Sequence, residues 1–560
     1  MKALRFALKT DSHHPSPVRR GKTENTDSGL QNISGGQNLC EQLKKLGQQC
    51  VLQDMKAWGR EDADIDVVVR IPGSECSTDE TLASPYRPKP WNINLAVIDD
   101  PSRLPLAEHY DRILSLTPSS DMQDLAGILE RTARELLSSD TEKASALRER
   151  LRAARERVSS PAWRREGPLV SILVGTYNRR KSLARSLRSI LAQSYTNWEV
   201  PLVQDGGEDV DDIVSAINDP RIRLIHRETN GGMARAYHTS FEHAKGAYIA
   251  WMSDDDIWYP DHLERLMLAL RELPGVRFAY TDAVCVRLDM RKTPPQELER
   301  TVVHDRQLCL SDLMENNGIT GISPVHDREL YLQAGGLDPG QKVLIDFDLW
   351  RRMACLSCPY RVDAVTAEYY LKQGNNQSQL TSLFERSPLA YRIQRLRVLS
   401  KKLPLDSTSP LQEKWRSIRR RAVQNYALYQ AMTALEAKDE RRTELFRKLA
   451  RRTMDPLSAV SLREQALLEL TDNHPGEAFR LLFRILNSSS LDALPSDMIR
   501  ALQAALMAGD FRHAEQISLR IEEAERKARE EKRQLFPSEE QNIIKRYRAL
   551  LEQYRSRIRQ

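Results

Sequence analysis

No stretch of the chain approaches the roughly 18 to 20 uninterrupted apolar residues that a membrane-spanning helix needs. The opening residues, Met1 to Lys9 and then Thr10-Asp11-Ser12-His13-His14, also lack the apolar core of a secretion signal. A cytoplasmic location is therefore expected, at most peripheral to the inner membrane. Charge of one sign is missing as well: 84 Lys and Arg face 78 Asp and Glu, a net +6 spread along the chain, whereas a nucleic-acid binder would show a concentrated basic stripe. No nucleic-acid partner is expected. The seven cysteines (Cys40, Cys50, Cys76, Cys285, Cys309, Cys355 and Cys358) are odd in number and scattered, which excludes a disulfide framework. Cys355 and Cys358 form a CxxC, but no second pair lies near enough to complete a zinc set, so they read as two helix-end thiols.

What is present is enough for several globular cores, with 40% hydrophobic residues in 560, which at roughly 150 residues per domain argues for about three or four domains. Residues 1–138 alternate short β-type runs with helical ones. The runs are Leu4 to Leu8, Cys50-Val51-Leu52, Asp66 to Ile71, Asn92 to Ile98 and Arg112 to Leu116, with helices near Asn38 to Leu46 and from about Ser120 to Leu137. Such alternation implies a parallel sheet covered on both faces, a Rossmann-like α/β domain. Residues 139–167 read as a helical linker, because Glu142 to Arg157 is dominated by charge and suits a solvated connector ended by Ser159-Ser160-Pro161. A second α/β domain is expected over 168–387, the strand signals stopping beyond Asn375-Asn376-Gln377.

Residues 388–560 are helical in pattern throughout. The apolar runs at Ala466 to Leu470, Ala478 to Leu482 and Ala501 to Leu506 recur loosely, at a spacing near the ~34 residues of helix-pair repeats of the tetratricopeptide type, without that type's aromatic and proline positions. The charged end, Arg520 to Gln560, is interrupted at Pro537 and reads as a solvated cap or an oligomerisation helix. The basic run from Arg416 to Arg421 is either a solvated helix face or a docking face for anionic lipid or a protein partner.

The chemistry concentrates in the second α/β stretch. Val170-Ser171-Ile172-Leu173-Val174, apolar as a strand buried on both faces should be, runs into Gly175-Thr176-Tyr177-Asn178. A further strand ends in Val203-Gln204-Asp205-Gly206-Gly207. Polar residues thus sit at the carboxyl ends of two successive strands, the edge where open α/β sheets bind ligands. Asn230-Gly231-Gly232 then opens a helix carrying Arg235, and Gly246 to Met252 ends in Ser253-Asp254-Asp255-Asp256. Three consecutive carboxylates at a strand tip repel one another unless a cation offsets them, and hard oxygen ligands suit Mg²⁺ or Mn²⁺, either of which can hold a diphosphate. The plainer alternative is an acidic loop capping the helix that begins at Pro260.

These motifs, in this order, continue through Ala244-Lys245-Gly246-Ala247-Tyr248, Asp256-Ile257-Trp258-Tyr259-Pro260-Asp261, Gly335-Gly336-Leu337-Asp338 and Ile345-Asp346-Phe347-Asp348-Leu349-Trp350. The set resembles the GT-A nucleotide-sugar transferases of glycosyltransferase family 2, over about 168–378. The resemblance implies a nucleoside-diphosphate sugar donor, a UDP-sugar foremost. It implies that Thr176 and Tyr177 line the base pocket, that Asp205 contacts the uracil and that Asp254 lies towards the ribose. Asp255, with Asp254 and Asp256, is then the set that holds Mn²⁺ or Mg²⁺ on the diphosphate, and Arg235 lies beside it. By the same resemblance Asp346 is the base that takes the proton of an acceptor hydroxyl, with inversion at the anomeric carbon, and His326 stands on the acceptor side. The expected acceptor is a glycan, a lipid-linked glycan or a protein, in bacterial surface polysaccharide assembly or protein glycosylation. Ser34-Gly35-Gly36-Gln37-Asn38, ahead of a helix, resembles the glycine-rich opening of the first half of GT-B glycosyltransferases, where backbone amides face a ligand; no second half follows.

The sequence departs from the family pattern at several points. Gln204 replaces the first acid of the usual pair, Ser253 the acid that opens the DxD, and Ile345 the glutamate before the base, while Lys372-Gln373 stand where many relatives have a histidine. Ile345 is expected to make the surroundings of Asp346 more apolar and to raise its pKa, and Pro201 to mark a bulge in its strand. The fold class expected is α/β, a GT-A domain with an amino-terminal Rossmann-like domain and a carboxyl-terminal all-α domain. The alternative to a transferase is a catalytically inactive scaffold that binds nucleotide-sugar, motivated by these substitutions and opposed by the retention of Asp205, Asp254, Asp255 and Asp346. A second transferase site in the amino-terminal domain is opposed by the missing half.

Overall fold

The computed structural model describes residues 3–373 apart from 11–32, 54–58, 60–61, 63, 72–85, 99, 116–120, 140, 161 and 304–305. It also describes residues 388–559 apart from 406, 437–438, 453–465, 467–468, 471–473, 487–494 and 531–537. Cys76, Asn473, Pro537 and the Asn375-Asn376-Gln377 boundary lie outside the described residues. The chain divides into two compact units, one of Met1–Gln379 with Leu403–Leu411, the other of Leu380–Lys402 with Gln412–Gln560.

The first unit contains two sheets. The amino-terminal one is wholly parallel, β2-β1-β3-β4-β5, built from β1 (Arg5–Thr10), β2 (Gln49–Gln53), β3 (Val67–Ile71), β4 (Ile93–Ile98) and β5 (Arg112–Ser115). Its central strands β3 and β4 are buried along their whole length, which is why they read as unbroken apolar runs. The helix α1 (Ile33–Lys45) starts earlier than its sequence pattern predicts, so Gly35 and Gly36 lie in its first turn and not in a loop ahead of it. The expected glycine-rich opening is therefore not formed.

Two more helices follow: α2 (Met122–Ser138), capped by the Asp121 carboxylate accepting from the Gln123 amide, and α3 (Glu142–Ser159), capped by Thr141. The second of these is no solvated connector. Ala144, Leu147, Leu151 and Ala154 form one buried stripe, Leu147 and Leu151 entering the core of the first sheet and Ala154 that of the second. The arginines between them work outward: Arg150 pairs with Asp111 at 3.0 Å, Arg155 donates to the Trp91 carbonyl, and Arg157 meets Glu272 at 2.9 Å. Backbone contact joins the two sheets as well. The Gly59 carbonyl accepts from the Asp363 amide at 3.1 Å, and a side chain at position 59 would bring its Cβ to 1.6 Å from the Arg361 carbonyl oxygen.

The short α4 (Trp163–Glu166) leads into the second, nine-stranded sheet, ordered β10-β14-β11-β13-β9-β6-β7-β8 with β12 paired to β11. One parallel block is β6 (Val170–Thr176), β7 (Trp198–Asp205), β8 (Ile222–Arg227) and β9 (Tyr248–Ser253), and β11 and β14 pair parallel as well. The remainder is β10 (Ile257–Trp258), β11 (Phe278–Asp289), β12 (Gln296–Val303), β13 (Pro324–Asp327) and β14 (Tyr360–Gln373). Around it lie α5 (Arg180–Leu191), α6 (Asp211–Ile217), α7 (Met233–Glu242), α8 (His262–Glu272), α9 (Leu310–Leu313), α10 (Arg328–Gln333) and α11 (Ile345–Ala354). Leu183, Leu187 and Ile190 of α5 form the buried stripe that their spacing predicts. Pro201 causes no bulge: it faces Arg223 in an unbroken β7–β8 register, and its carbonyl accepts from the Ser240 hydroxyl.

The second unit is helical in its described residues, from Pro388–Ser400 and Leu411–Glu436 to Phe511–Glu530 and Ser538–Arg559. Ala478, Leu482, Leu502, Ala505 and Ile517 share one core there, and Gly509 turns the chain between Pro495–Met507 and Phe511–Glu530 with φ of +73°. Among the described residues no helix is long and apolar enough to cross a membrane. The fold class is thus the one the sequence pattern predicts: mixed α/β with parallel sheets and a helical carboxyl-terminal region.

Candidate active site

Strand order assembles the site. Because β6 lies between β9 and β7, the carboxyl ends of all three strands stand side by side: Thr176 is in register with Gln204, and Gly175 with Ser253. Thr176, Gln204, Asp205 and Asp254 to Asp256 are therefore one constellation, as expected for the ligand edge of such a sheet. The side-chain amide oxygen of Gln204, Oε1, is buried without a hydrogen-bond partner. The Thr176 hydroxyl lies beside the Asp254 carboxyl outside hydrogen-bond geometry. Buried polar atoms are ordinarily satisfied, so the unpaired Gln204 oxygen at a sheet edge points to a bound group.

Asp205 is fully engaged with its own chain. Its Oδ1 accepts from Arg227 Nε at 2.8 Å and from the Gly231 amide at 3.0 Å, and its Oδ2 from the Gly232 amide at 2.8 Å. The carboxylate thus pins the Asn230-Gly231-Gly232 turn, whose Gly232 takes φ of +87° at the start of α7. Arg235, one turn further on, is exposed. Tyr177 is 45% exposed, and Gly207 opposite leaves it room, since a Cβ there would come within 2.9 Å of the ring.

At the tip of β9 the three aspartates are buried and do not share a centre. Arg179 Nη1 lies 2.9 Å from Asp254 Oδ1 and 2.9 Å from Asp255 Oδ1, and Lys372 Nζ lies 2.7 Å from Asp255 Oδ2. Asp256 points elsewhere, its Oδ1 accepting from the Tyr370 amide and its backbone carbonyl from the Ser186 hydroxyl. Burial pushes Asp254 up to about 6 against the pull of Arg179, and raises Asp256 through burial and the neighbouring Asp255. The set expected to hold Mn²⁺ or Mg²⁺ is not assembled: among the described residues no group of three or more His, Cys, Asp or Glu side chains is placed for a metal ion.

Asp346 sits in the first turn of α11, after Leu344 in the left-handed region with φ of 60°. Its Oδ2 accepts from Asn317 Nδ2 at 2.8 Å, and a Cβ at Gly321 would touch the same oxygen at 3.6 Å. Burial raises its pKa, opposed by the Phe347 amide and Asn317, the direction expected with the buried Ile345 as its neighbour. Asp348 is committed to Arg352 at 2.8 Å.

His326 is not an acceptor-side group. It is wholly buried, its Nε2 accepts from Trp251 Nε1 at 2.9 Å, its ring packs on Tyr331 and Trp350, and burial lowers its pKa to about 4. Trp258 and Trp350 are core aromatics, with Trp258 donating to the Ile322 carbonyl. Cys355 and Cys358 are thiols outside any disulfide, Cys355 Sγ donating to the Arg351 carbonyl at 3.2 Å. Sequence reasoning missed Arg179 and Asn317 and left Lys372 without a role. Arg179 carried a signal, because a cation at a helix amino terminus opposes the helix dipole unless an acid answers it.

Residues 171–299 match the model of the Glycosyl transferase family 2. The chain is similar to the putative colanic acid biosynthesis glycosyl transferase WcaA of Escherichia coli K12, at 36% identity over 125 residues, covering 22% of this chain and 45% of WcaA. It is also similar to the putative teichuronic acid biosynthesis glycosyltransferase TuaG of Bacillus subtilis, at 28% identity over 235 residues, 41% of this chain and 90% of TuaG. The match thus spans less than half the length of WcaA. Among solved structures, Staphylococcus aureus TarS 1-349 superposes with a TM-score of 0.35 at 13% identity, over 64% of this chain and 91% of TarS 1-349. With its motifs on the carboxyl ends of β6, β7 and β9, the stretch 171–299 is a family 2 glycosyltransferase domain.

Proposed function

We propose that the chain transfers a sugar from a nucleoside-diphosphate sugar to a hydroxyl of a glycan, lipid-linked glycan or protein, in bacterial surface polysaccharide assembly or protein glycosylation. The observation that carries this reading is the single edge on which Thr176, Gln204, Asp205, Asp254 and Asp255 meet, inside the segment that matches family 2. The base of the donor, uracil foremost, lies against Thr176, Tyr177 and the orphan oxygen of Gln204, on the floor that Asp205 holds together. The diphosphate lies towards the tip of β9. A divalent cation bound there would stabilise the departing diphosphate, but the carboxylates as placed do not form its site.

Asp346 serves as general base. As the acceptor oxygen bonds to the anomeric carbon, its proton passes to Asp346, and the bond from that carbon to the diphosphate oxygen breaks with the electron pair leaving on the nucleoside diphosphate. Attack opposite the leaving group inverts the anomeric centre. The amino-terminal sheet, fixed to this domain through Gly59 and α3, is assigned to support and acceptor positioning, and the helical unit to docking.

The test is a screen of UDP-, GDP- and dTDP-sugars, with and without Mn²⁺, scoring released nucleoside diphosphate. One donor should be consumed, and Asp346→Asn should lower its turnover by about 10² to 10⁴ while leaving donor affinity unchanged, as loss of a general base does. Donor binding without turnover in the presence of candidate acceptors would favour the scaffold reading, which the commitment of Asp254 and Asp255 to Arg179 and Lys372 also suits. Absence of binding would sink both.

A further inference from the structure

Three cations converge on the tip of β9. Arg179 reaches Asp254 and Asp255 from the start of α5. Lys372 reaches Asp255 from the end of β14. Arg185, one turn along α5, donates to the Asp255 backbone carbonyl at 2.6 Å and lies over the Tyr370 ring at 4.3 Å. Asp256 adds nothing to this face, since its carboxylate turns to the Tyr370 amide. The face therefore sets two aspartates against two side-chain cations in direct contact, with a third behind them.

That arrangement is poor for a hard divalent cation, which takes about six oxygen ligands and would have to displace Lys372 from one Asp255 oxygen and Arg179 from the other. It is good for an anion. A guanidinium carries five N–H donors and an ammonium three, so each can stay on its carboxylate and donate to a phosphate oxygen through a charge-assisted hydrogen bond of the same kind. The positions are fixed as well: Arg179 is held by two buried carboxylates, and Lys372 stands at the end of a strand paired to β10 and β11. The aspartates then act as holders of the two cations and not as metal ligands.

Resting on the nucleotide-sugar reading above, we propose that Arg179 and Lys372 neutralise the donor diphosphate in this chain, with Asp254 and Asp255 as positioning residues, so that donor binding needs no divalent cation. Lys372 and Arg179 hold the two negative ends of the leaving group that a metal would otherwise bridge. Discrimination for a diphosphate over a monophosphate then resides in these two side chains.

The experiment is calorimetry on the full chain, titrating UDP, GDP and dTDP and the matching monophosphates in excess EDTA and in Mn²⁺. One diphosphate should bind equally well in both buffers. Lys372→Gln should weaken it by about 10- to 100-fold, the worth of one hydrogen bond to a charged group, while its affinity for the monophosphate holds and Lys372→Arg recovers most of the loss. The same Gln variant, with Asp255 released, should gain Mn²⁺ binding in the absence of nucleotide, read by electron paramagnetic resonance. Diphosphate binding that EDTA abolishes and Mn²⁺ restores would overturn the proposal and leave the transferase reading standing. An unchanged affinity in a folded Lys372→Gln chain would overturn it too. No nucleotide binding in either buffer would overturn both readings. Should Lys372→Gln fail to fold, the comparison of EDTA with Mn²⁺ on the unaltered chain decides alone.

Discussion

A carboxylate that is to take a proton near neutral pH must hold its pKa above the ordinary range, and burial raises that of Asp346, the direction its proposed role as base requires. Two hydrogen bonds, from the Phe347 amide and from Asn317 Nδ2, stabilise its ionised form and limit the rise. A base works only when deprotonated, so kcat/KM should fall as pH drops through the raised pKa, at higher pH than an exposed aspartate would give. Asn317→Leu removes a bond to the charged form and should move this acid limb further up in pH, with little change in donor affinity. A limb that stays in place, measured with the donor found in the screen, would show that Asp346 is not the titrating base. At this scale the motif-bearing acids were legible because each lies in a short ordered block at a strand end. Arg179 and Lys372 were not: they meet Asp254 and Asp255 across 75 and 117 residues of chain, and no local pattern records such a meeting. His326 misled for the opposite reason, since its place in the sequence says nothing of the indole, phenol and backbone carbonyl that enclose it.

Elements show the same division between what a period reveals and what composition hides. The strands β6, β7 and β9 and the stripe of α5 were readable because apolar residues recur at the spacing of a strand or a helix. In α3 the stripe is just as regular, at positions 144, 147, 151 and 154, but alanine supplies half of it and arginine and glutamate crowd the rest. Its charge suggested solvent; its spacing meant core. Leu151→Ala should therefore cost about 2 to 5 kcal/mol, as for other buried leucines, whereas a residue on a solvated connector would change stability by less than about 0.5 kcal/mol. Denaturant unfolding of the two chains distinguishes the cases. Proline withholds a ladder donor, which is the ground for expecting a bulge at Pro201, yet the strand keeps its register, and the proline carbonyl accepts from the Ser240 hydroxyl on α7.

On the scale of the molecule, the passage from strands to helices beyond β14 is legible in the sequence, but the division of the structure into compact units does not follow it. Leu403–Leu411 belongs with the first unit although the residues on both sides of it belong with the second. Leu403 and Leu411 are each only 3% exposed, so this short return buries apolar side chains that a cut near residue 387 would remove. Sequence pattern cannot show such a return, because a short connection running into the first residue of a helix looks like any other. The two cuts therefore separate structure from docking. A chain ending after Leu411 should keep the melting temperature and nucleoside-diphosphate affinity of the first unit, and lose activity only on an acceptor that the helical unit holds. A chain ending after residue 387 should melt at a lower temperature, because it lacks the buried side chains of Leu403 and Leu411. Equal melting of the two would show that Leu403–Leu411 contributes nothing to the first unit. Unchanged activity of the longer truncation on the native acceptor would remove the helical unit from acceptor docking and confine the proposed transfer to the first unit.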